Sequence, residues 1–152
     1  MSYPDQTMSE LGEAIALIGR GEHHVARRVL TALWEQVGVD GDPLHRCAVA
    51  HHLADVQDDP AEELVWDLRA LDAADSITVG RAVEAGVSGP VSGLYPSLHL
   101  NLGEDYRKLG DLDAARRHLT LGQDAAAALG DDGYSTMIKG GLDRLAIRLA
   151  DR

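Results

Sequence analysis

Histidine is the residue type in this chain with the widest choice of chemistry. The chain has seven histidines in 152 residues, and imidazole is the commonest side-chain ligand for transition metals. Five of them lie in roughly the first third of the chain: His23, His24, His45, His51 and His52. Two carboxylates, Glu62 and Glu63, follow them in the sequence. Successive residues of a helix point about 100° apart, so each adjacent pair offers one ligand to any one site. A small metal- or ligand-binding helical protein that uses the clustered histidines is therefore one alternative for function.

Sequence motifs for catalysis are missing. The chain has no HExxH helix, no cysteine and histidine ladder of zinc-site spacing, no Walker loop and no nucleophile elbow. The segment Gly86–Gly93 has the glycines of a phosphate-binding loop, but it lacks the lysine and the preceding strand. Glu62 and Glu63 fit equally well as the acidic first turn of a helix that starts at Pro60. We expect a protein that is not an enzyme and that uses no cofactor.

The charge balance bears on the class of partner. There are 25 acidic and 14 basic residues, which gives a formal net charge of -11. Such a field repels nucleic-acid phosphates and anionic membrane surfaces, so we expect neither as a partner. Cationic partners and simple solubility both account for the excess of carboxylates.

Cellular location is indicated by the single cysteine and by the N-terminal segment. Cys47 lies in an apolar stretch and has no second cysteine to pair with, which is typical of a reducing compartment. Met1–Glu10 lacks the basic and apolar pattern of a signal peptide, and no apolar stretch reaches membrane-spanning length. We therefore expect a cytoplasmic protein.

The elements that must position these side chains are helices. Apolar residues recur at spacings of three and four almost throughout, and this pattern predicts an all-α fold. It predicts helix pairs at about 7–37, 43–74 and 95–129, a connector at about 75–94 and a capping helix at about 134–150, all in one domain spanning 1–152. Residues 78–85 could form a short helix within the connector, and residues 86–93 read as a loop. The pattern predicts that these residues of the fourth helix face inward: Leu64, Val65, Trp66, Leu68 and Leu71. On the capping helix it predicts the same for Met137, Ile138, Leu142, Leu145, Ala146 and Leu149.

An internal repeat supports this organisation. The segment Gly21–Leu30 aligns without gaps with Gly110–Leu119. Both begin with a glycine and an acidic residue and continue with an alanine, two arginines and, two positions further on, a leucine. Repetition of this kind is typical of stacked helical hairpins.

The segment Pro96–Leu129, which is 34 residues long, resembles one tetratricopeptide repeat. The matching positions are Leu102, Gly103, Tyr106, Gly110, Asp111, Ala115 and Leu119. Gly103 and Ala115 have little or no side chain, so two antiparallel helices can approach closely there. Departures occur at His99, where the family prefers tryptophan, at Gly122, where it prefers alanine, and at Ala127, where it prefers proline.

The resemblance is weaker in the rest of the chain. The first helix pair matches through Ala26 and Leu30 in its second helix, but it has Glu13-Ala14 in place of the leucine and glycine. The middle pair has Glu62 at a position where the family prefers a small residue. It aligns through four residues: Val49, Ala50, Leu53 and Trp66.

The resemblance implies a right-handed superhelix of helix pairs with a C-terminal capping helix. In the family, the first helix of each pair lines a concave groove that receives peptides or partner helices. Carried over by position, this implies six groove residues: His51, Asp55, Asn101, Glu104, Arg107 and Lys108. Asparagine and basic side chains can hold a peptide backbone or a carboxylate. Arg107 and Lys108 are equally explained as a solvated helix end that the C-terminal dipole favours.

The leading hypothesis is therefore a protein- or peptide-binding module, an adaptor or regulatory subunit. Two alternatives stay open at this point. One is the metal- or ligand-binding protein that uses the clustered histidines. The other is a self-assembling structural protein, since short stacks often bury leftover apolar edges by forming homodimers.

Overall fold

The computed structural model describes residues 6–77, 94–130 and 132–150. These residues form helices and turns without any strand, so the prediction of an all-α fold is confirmed. The helices are α1 (Gln6–Gly19), α2 (His23–Val37), α3 (Pro43–Asp55), α4 (Pro60–Ala74), α5 (Tyr95–Leu109), α6 (Leu112–Ala126) and α7 (Gly133–Ala150). The predicted short helix at 78–85 and the glycine- and serine-rich loop at 86–93 lie outside the described residues.

Aspartates begin four of these helices, namely α3, α4, α6 and, through a hydrogen bond of 2.7 Å from the Ser135 N–H to the Asp132 side chain, α7. The Asp42 side chain accepts a hydrogen bond from the Leu44 N–H, and Asp59 accepts one from the Ala61 N–H, both at 3.0 Å. A proline comes directly after each of these two caps, where its missing N–H costs nothing. Asp111 accepts from the Ala114 N–H at 3.1 Å. The Asp-Pro pairs therefore define the starts of α3 and α4 locally.

The chain folds as two compact units, an N-terminal unit (Met1–Val87) and a C-terminal unit (Ser88–Arg152). In the N-terminal unit, α3 packs against both α1 and α2 and also pairs with α4. Its core is aliphatic: Leu11, Ala14, Ala26, Leu30, Leu33, Val49, Leu53 and Val56. In the C-terminal unit, α7 packs against both α5 and α6. Within each unit, the helix after a pair thus covers both members of that pair, as in stacked helical repeats.

The repeat found in the sequence is also a repeat in structure. Gly21 and Gly110 adopt positive φ angles of 79° and 85°, which glycine reaches without steric cost. The residue after each glycine donates its N–H to the carbonyl five positions earlier, from Glu22 to Leu17 at 3.0 Å and from Asp111 to Tyr106 at 2.9 Å. This is the Schellman pattern of helix ends. The same turn thus joins α1 to α2 and α5 to α6.

Small residues bring the helices of the C-terminal unit together. Ala115 is fully buried. A Cβ added at Gly103 would lie 2.6 Å from Leu145 Cδ2, and one added at Gly141 would lie 2.6 Å from Leu100 Cδ2. The leucines of α5 and α7 therefore occupy the space that these glycines leave.

Two of the predicted apolar stripes are partly wrong. On α4, Val65 and Leu68 are 38% and 40% exposed, and the buried residues are Asp67, Ala70, Ala73 and Ala74. A face of alanines lets α3 approach α4 closely, and this contact turns the larger side chains aside. On α7, Met137 is 61% exposed. Because Met137 and Ile138 point about 100° apart, only one of them can face the core.

Candidate functional sites

The six predicted groove residues belong to two separate sets. His51 and Asp55 lie on α3 of the N-terminal unit, and the other four lie on α5 of the C-terminal unit: Asn101, Glu104, Arg107 and Lys108. Whether the two sets line one groove stays a prediction.

In the C-terminal set, Glu104 is the centre of an ion cluster. Arg107 donates to Glu104 Oε2 from Nε at 3.1 Å and from Nη2 at 2.9 Å. Arg148 of α7 donates to Glu104 Oε1. The side chains of Glu104 and Arg107 are each 20% exposed, whereas that of Arg148 is 50% exposed. The cluster therefore ties α5 to α7, so two of the predicted groove residues also have a structural role.

Arg148 is a site residue that was not predicted from the sequence. It lies 44 positions after Glu104, so no spacing rule connects the two residues. The remaining predicted residues of this set differ in exposure, since Asn101 is half-buried and Lys108 is exposed.

In the N-terminal set, imidazoles and carboxylates meet at the end of α3. The rings of His51 and His52 have centroids 5.1 Å apart at an interplanar angle of 70°. His52 Nδ1 lies 3.8 Å from Asp55 Oδ2. Burial is the larger cause, and together with the neighbouring His51 it lowers the pKa of His52 to about 4. His52 is therefore a neutral imidazole at neutral pH.

Asp55 takes part in electrostatic interactions that involve three helices. Burial raises the pKa of Asp55, against the opposing influence of His51 and of His23 on α2, and the Glu63 carboxylate on α4 raises it further. Among residues 6–77, 94–130 and 132–150, no group of three or more histidine, cysteine or carboxylate side chains is placed to hold a metal ion. The alternative of a metal site at the clustered histidines gains no support from these residues.

Sequence reasoning missed a column of four stacked rings in the C-terminal unit. Tyr95 stacks on His99 at 6.1 Å, His99 on His118 at 5.2 Å, and His118 on Tyr106 at 5.4 Å between ring centroids. The Nδ1 atoms of His99 and His118 are 3.0 Å apart, so one imidazole donates a hydrogen bond and the other accepts it. The spacing of Tyr95 and His99 by four residues on one helix was the available signal.

His118 holds this column between two helices, because it lies on α6 and the other three rings lie on α5. It is only 9% exposed. Burial is the largest cause, and together with His99 and Arg117 it lowers the pKa of His118 to about 4. His118 is therefore a buried packing residue whose ring also has a hydrogen-bond partner in His99.

A polar cavity of about 340 Å³ lies between the start of α1, the end of α2 and the start of α3. The described residues that line it are Gln6, Thr7, Glu10, Gln36, Val37, Asp42 and His45. Gln6 Nε2 donates to Glu10 Oε1 at 3.3 Å, and His45 Nε2 lies 3.8 Å from Asp42 Oδ2. His45 belongs to the histidines considered for metal binding, but the structure places it here among amides and carboxylates.

The two units differ in charge. Met1–Val87 contains 16 acidic and 6 basic residues, for a formal net charge of -10, and Ser88–Arg152 contains 9 acidic and 8 basic residues, for -1. The strong acidity of the chain is therefore a property of its N-terminal unit.

Burial disfavours the reactive form of the single cysteine. Cys47 is 6% exposed, and burial raises the pKa of its thiol to about 12. The thiolate that nucleophilic chemistry and metal binding require is therefore disfavoured, and Cys47 packs as a small core residue.

No protein-family model, curated protein or solved structure matches this chain. In the part of the chain that the structure describes, none of the helices is both long enough and apolar enough to cross a membrane.

Proposed function

We propose that this chain is a protein- or peptide-binding module of the tetratricopeptide-repeat type, which acts as an adaptor or regulatory subunit. It would hold a partner segment by equilibrium binding, without making or breaking a covalent bond. The binding residues would lie on the first helices of the pairs, α3 and α5.

The observation that carries the proposal is the repeated turn. Gly21 and Gly110 end helices with the same backbone hydrogen bonds, and the alanine five positions further on is fully buried in both units. In each unit the next helix packs on both members of the preceding pair. Stacks built in this way leave the first helices available for extended binding surfaces.

The Glu104 cluster supports recognition of a polar or acidic segment. Glu104 and Arg107 are held against each other, and Arg148 is half-exposed beside them. A guanidinium has five N–H donors, so the exposed side of Arg148 suits a carboxylate or a peptide carbonyl. Because Glu104 orients both arginines before a partner arrives, less side-chain entropy is lost on binding.

Capture from native extract tests this proposal. The double substitution Asn101→Ala and Lys108→Ala removes two predicted groove side chains and leaves the Glu104 cluster intact. The matched control is Asp124→Ala, which removes an exposed side chain from α6, the second helix of the pair that α5 begins. We expect the wild type and the control to retain the same partner, and the double variant to lose it while its thermal unfolding midpoint is unchanged.

Equal retention of the partner by all three proteins would contradict the placement of the binding surface on α5. In that case the partner would be sought with the equivalent double variant on α3, His51→Ala and Asp55→Ala. If neither variant changed any captured protein, the proposed function would be wrong.

A further inference from the structure

The polar cavity of the N-terminal unit has a lining that indicates its ligand. Apart from Val37, every wall residue that the structure describes has a hydrogen-bonding side chain: Gln6, Thr7, Glu10, Gln36, Asp42 and His45. At about 340 Å³ it lies at the small end of ligand pockets, which run from about 300 to 1,000 Å³. It therefore suits one side chain or one small group and is too small for a long stretch of peptide.

The charges of these wall residues favour a cation. Glu10 and Asp42 contribute two carboxylates, and the described lining includes neither lysine nor arginine. The amide oxygens of Gln6 and Gln36 and the hydroxyl of Thr7 add acceptors. Arg46, the residue after His45, is directed elsewhere, because it donates to the Gly38 carbonyl and its Cζ lies 4.3 Å from the centre of the Trp34 ring.

A second cavity shows that this charge pattern is not general in the molecule. It has a volume of about 270 Å³ and lies between α6 and α7. Its lining contains Lys139 as well as Asp143, so the two charges balance. The excess of carboxylates therefore distinguishes the cavity of the N-terminal unit.

An anion is the main rival ligand, because the starts of α1 and α3 border the cavity and helix N-termini favour negative charge. At α3, however, the Asp42 side chain already accepts a hydrogen bond from the Leu44 N–H at 3.0 Å. The end of α2 also borders the cavity through Gln36 and Val37, and a helix C-terminus favours cations. Arg46 already donates to the Gly38 carbonyl at that end, so the two carboxylates of the described lining, more than the helix ends, favour a cation over an anion.

The charge of the whole unit points the same way. Its formal net charge of -10, against -1 for the C-terminal unit, attracts basic partners over distances of about 10 Å at moderate salt. A basic segment would be drawn to this unit before it contacted the cavity.

We propose that this cavity binds a single arginine side chain of a basic peptide segment. The guanidinium would donate hydrogen bonds to the Glu10 and Asp42 carboxylates and to the amide oxygens around them, in the fork geometry that arginine presents to carboxylates. This inference rests on the proposed peptide-binding function, and it adds to the polar or acidic segment at the Glu104 cluster a basic segment that binds outside the six predicted groove residues.

Titration by nuclear magnetic resonance tests the inference, since a chain of 16.3 kDa is of a suitable size. The probes are a short peptide with one arginine, the same peptide with citrulline in its place, and inorganic phosphate. Citrulline keeps the shape of arginine and removes its charge. We expect the arginine peptide to shift the amide signals of Gln6, Glu10, Gln36 and His45, and the citrulline peptide to bind about tenfold more weakly.

A pair of double variants separates the cavity from the general charge of the unit. Glu10→Gln with Asp42→Asn neutralises the cavity, and asparagine retains the cap of α3. Glu62→Gln with Asp72→Asn removes the same charge from exposed positions of α4. We expect the cavity variant to bind the arginine peptide about tenfold more weakly, and the α4 variant to stay within about twofold of the wild type.

Several results would overturn the inference: no binding of the arginine peptide, equal weakening by both double variants, or binding of phosphate in its place. None of these results would affect the capture of a native partner through Asn101 and Lys108. A result that contradicts arginine binding in the cavity is therefore distinguishable from one that contradicts the proposed function.

Discussion

The two units contain the same motif, but the arginines of the motif make different contacts in each. Gly21–Thr31 and Gly110–Thr120 share the glycine turn, the buried alanine and a threonine whose hydroxyl donates to the carbonyl four residues earlier, at 2.7 and 3.1 Å. The two segments differ in the partners of their arginines. Arg27 reaches across to the Val56 carbonyl and to Asp58 at the end of α3, whereas Arg116 pairs with Asp113 on its own helix.

The comparison separates residues that make the turn from residues that meet the next helix. The turn needs only a glycine and a few backbone hydrogen bonds, so it is the same in both units. The side chains through which the second helix contacts its neighbours make interactions that depend instead on the helices packed around them. Val29 in one unit corresponds to His118 in the other, and only the latter joins a ring column.

The largest expected effect is the acid sensitivity of the C-terminal unit. The pKa of His118 falls from an ordinary value of 6.5 to about 4 on folding, so the unfolded chain binds a proton that the folded chain does not. The free energy of unfolding should therefore be independent of His118 protonation above about pH 6.5. It should decrease as the pH falls towards 4, by up to about 3 kcal/mol. The substitution His118→Val, which copies Val29, should flatten this dependence in hydrogen exchange of α5 and α6.

Fluorescence provides the control for that prediction. Both tryptophans, Trp34 and Trp66, belong to the N-terminal unit, and their rings are 5.1 Å apart. His52 in the same unit also has a pKa of about 4, so the fluorescence transition should remain acid-sensitive in His118→Val. If the substitution flattened both signals, the two units would unfold as one and the comparison between them would fail.

The arginines of the motif should differ in their contribution to stability. Arg27 is 31% exposed and donates to the Val56 carbonyl, so Arg27→Ala should lower the free energy of unfolding by about 2 kcal/mol. Arg116→Ala should cost less than about 0.5 kcal/mol, because Arg116 and Asp113 form a solvent-exposed pair. Urea denaturation followed by tryptophan fluorescence for Arg27, and by circular dichroism for Arg116, measures both effects. Equal losses would mean that the contact with the end of α3 contributes nothing.

The smallest effect concerns the helix caps. Asp111 caps α6 with its side chain, whereas Glu22 makes no side-chain cap on α2. Glu22→Asp should therefore stabilise the N-terminal unit by about 0.5 to 1 kcal/mol, and Asp111→Ala should destabilise the C-terminal unit by about 1 kcal/mol. The first is measured by fluorescence-detected urea denaturation, with Glu22→Gln as a control that cannot form the short aspartate cap. A loss of stability in Glu22→Asp would show that the exposed pair of Glu22 with Arg20 matters more than the cap.

Much of the fold could be predicted because its signals are local. The Asp-Pro starts of α3 and α4 and the turns at Gly21 and Gly110 depend on residues within five positions of each other. The buried faces were harder to predict where the partner helix decides them. On α4, alanines pack inward and Val65 and Leu68 are partly exposed, because close approach to α3 has priority over the size of the side chain.

The candidate sites could be predicted only in part. Glu104 and Arg107 are three positions apart on one helix, so their interaction is local. The contribution of Arg148 and the hydrogen bond between His99 and His118 depend on contacts between helices. The polar cavity brings together α1, α2 and α3, and no single segment of the sequence indicates it.

By itself, the sequence determined the helices, their ends and the repeated turn, since these depend on backbone preferences and on side chains one turn apart. It also determined the net charge and the lack of a second cysteine. Only the tertiary structure decided that the acidity belongs to the unit with the polar cavity, that Glu104 binds arginines of two helices and that His118 completes a ring column. The physical reason is that these features require side chains far apart in the chain to lie within a few ångströms, and packing alone determines which ones meet.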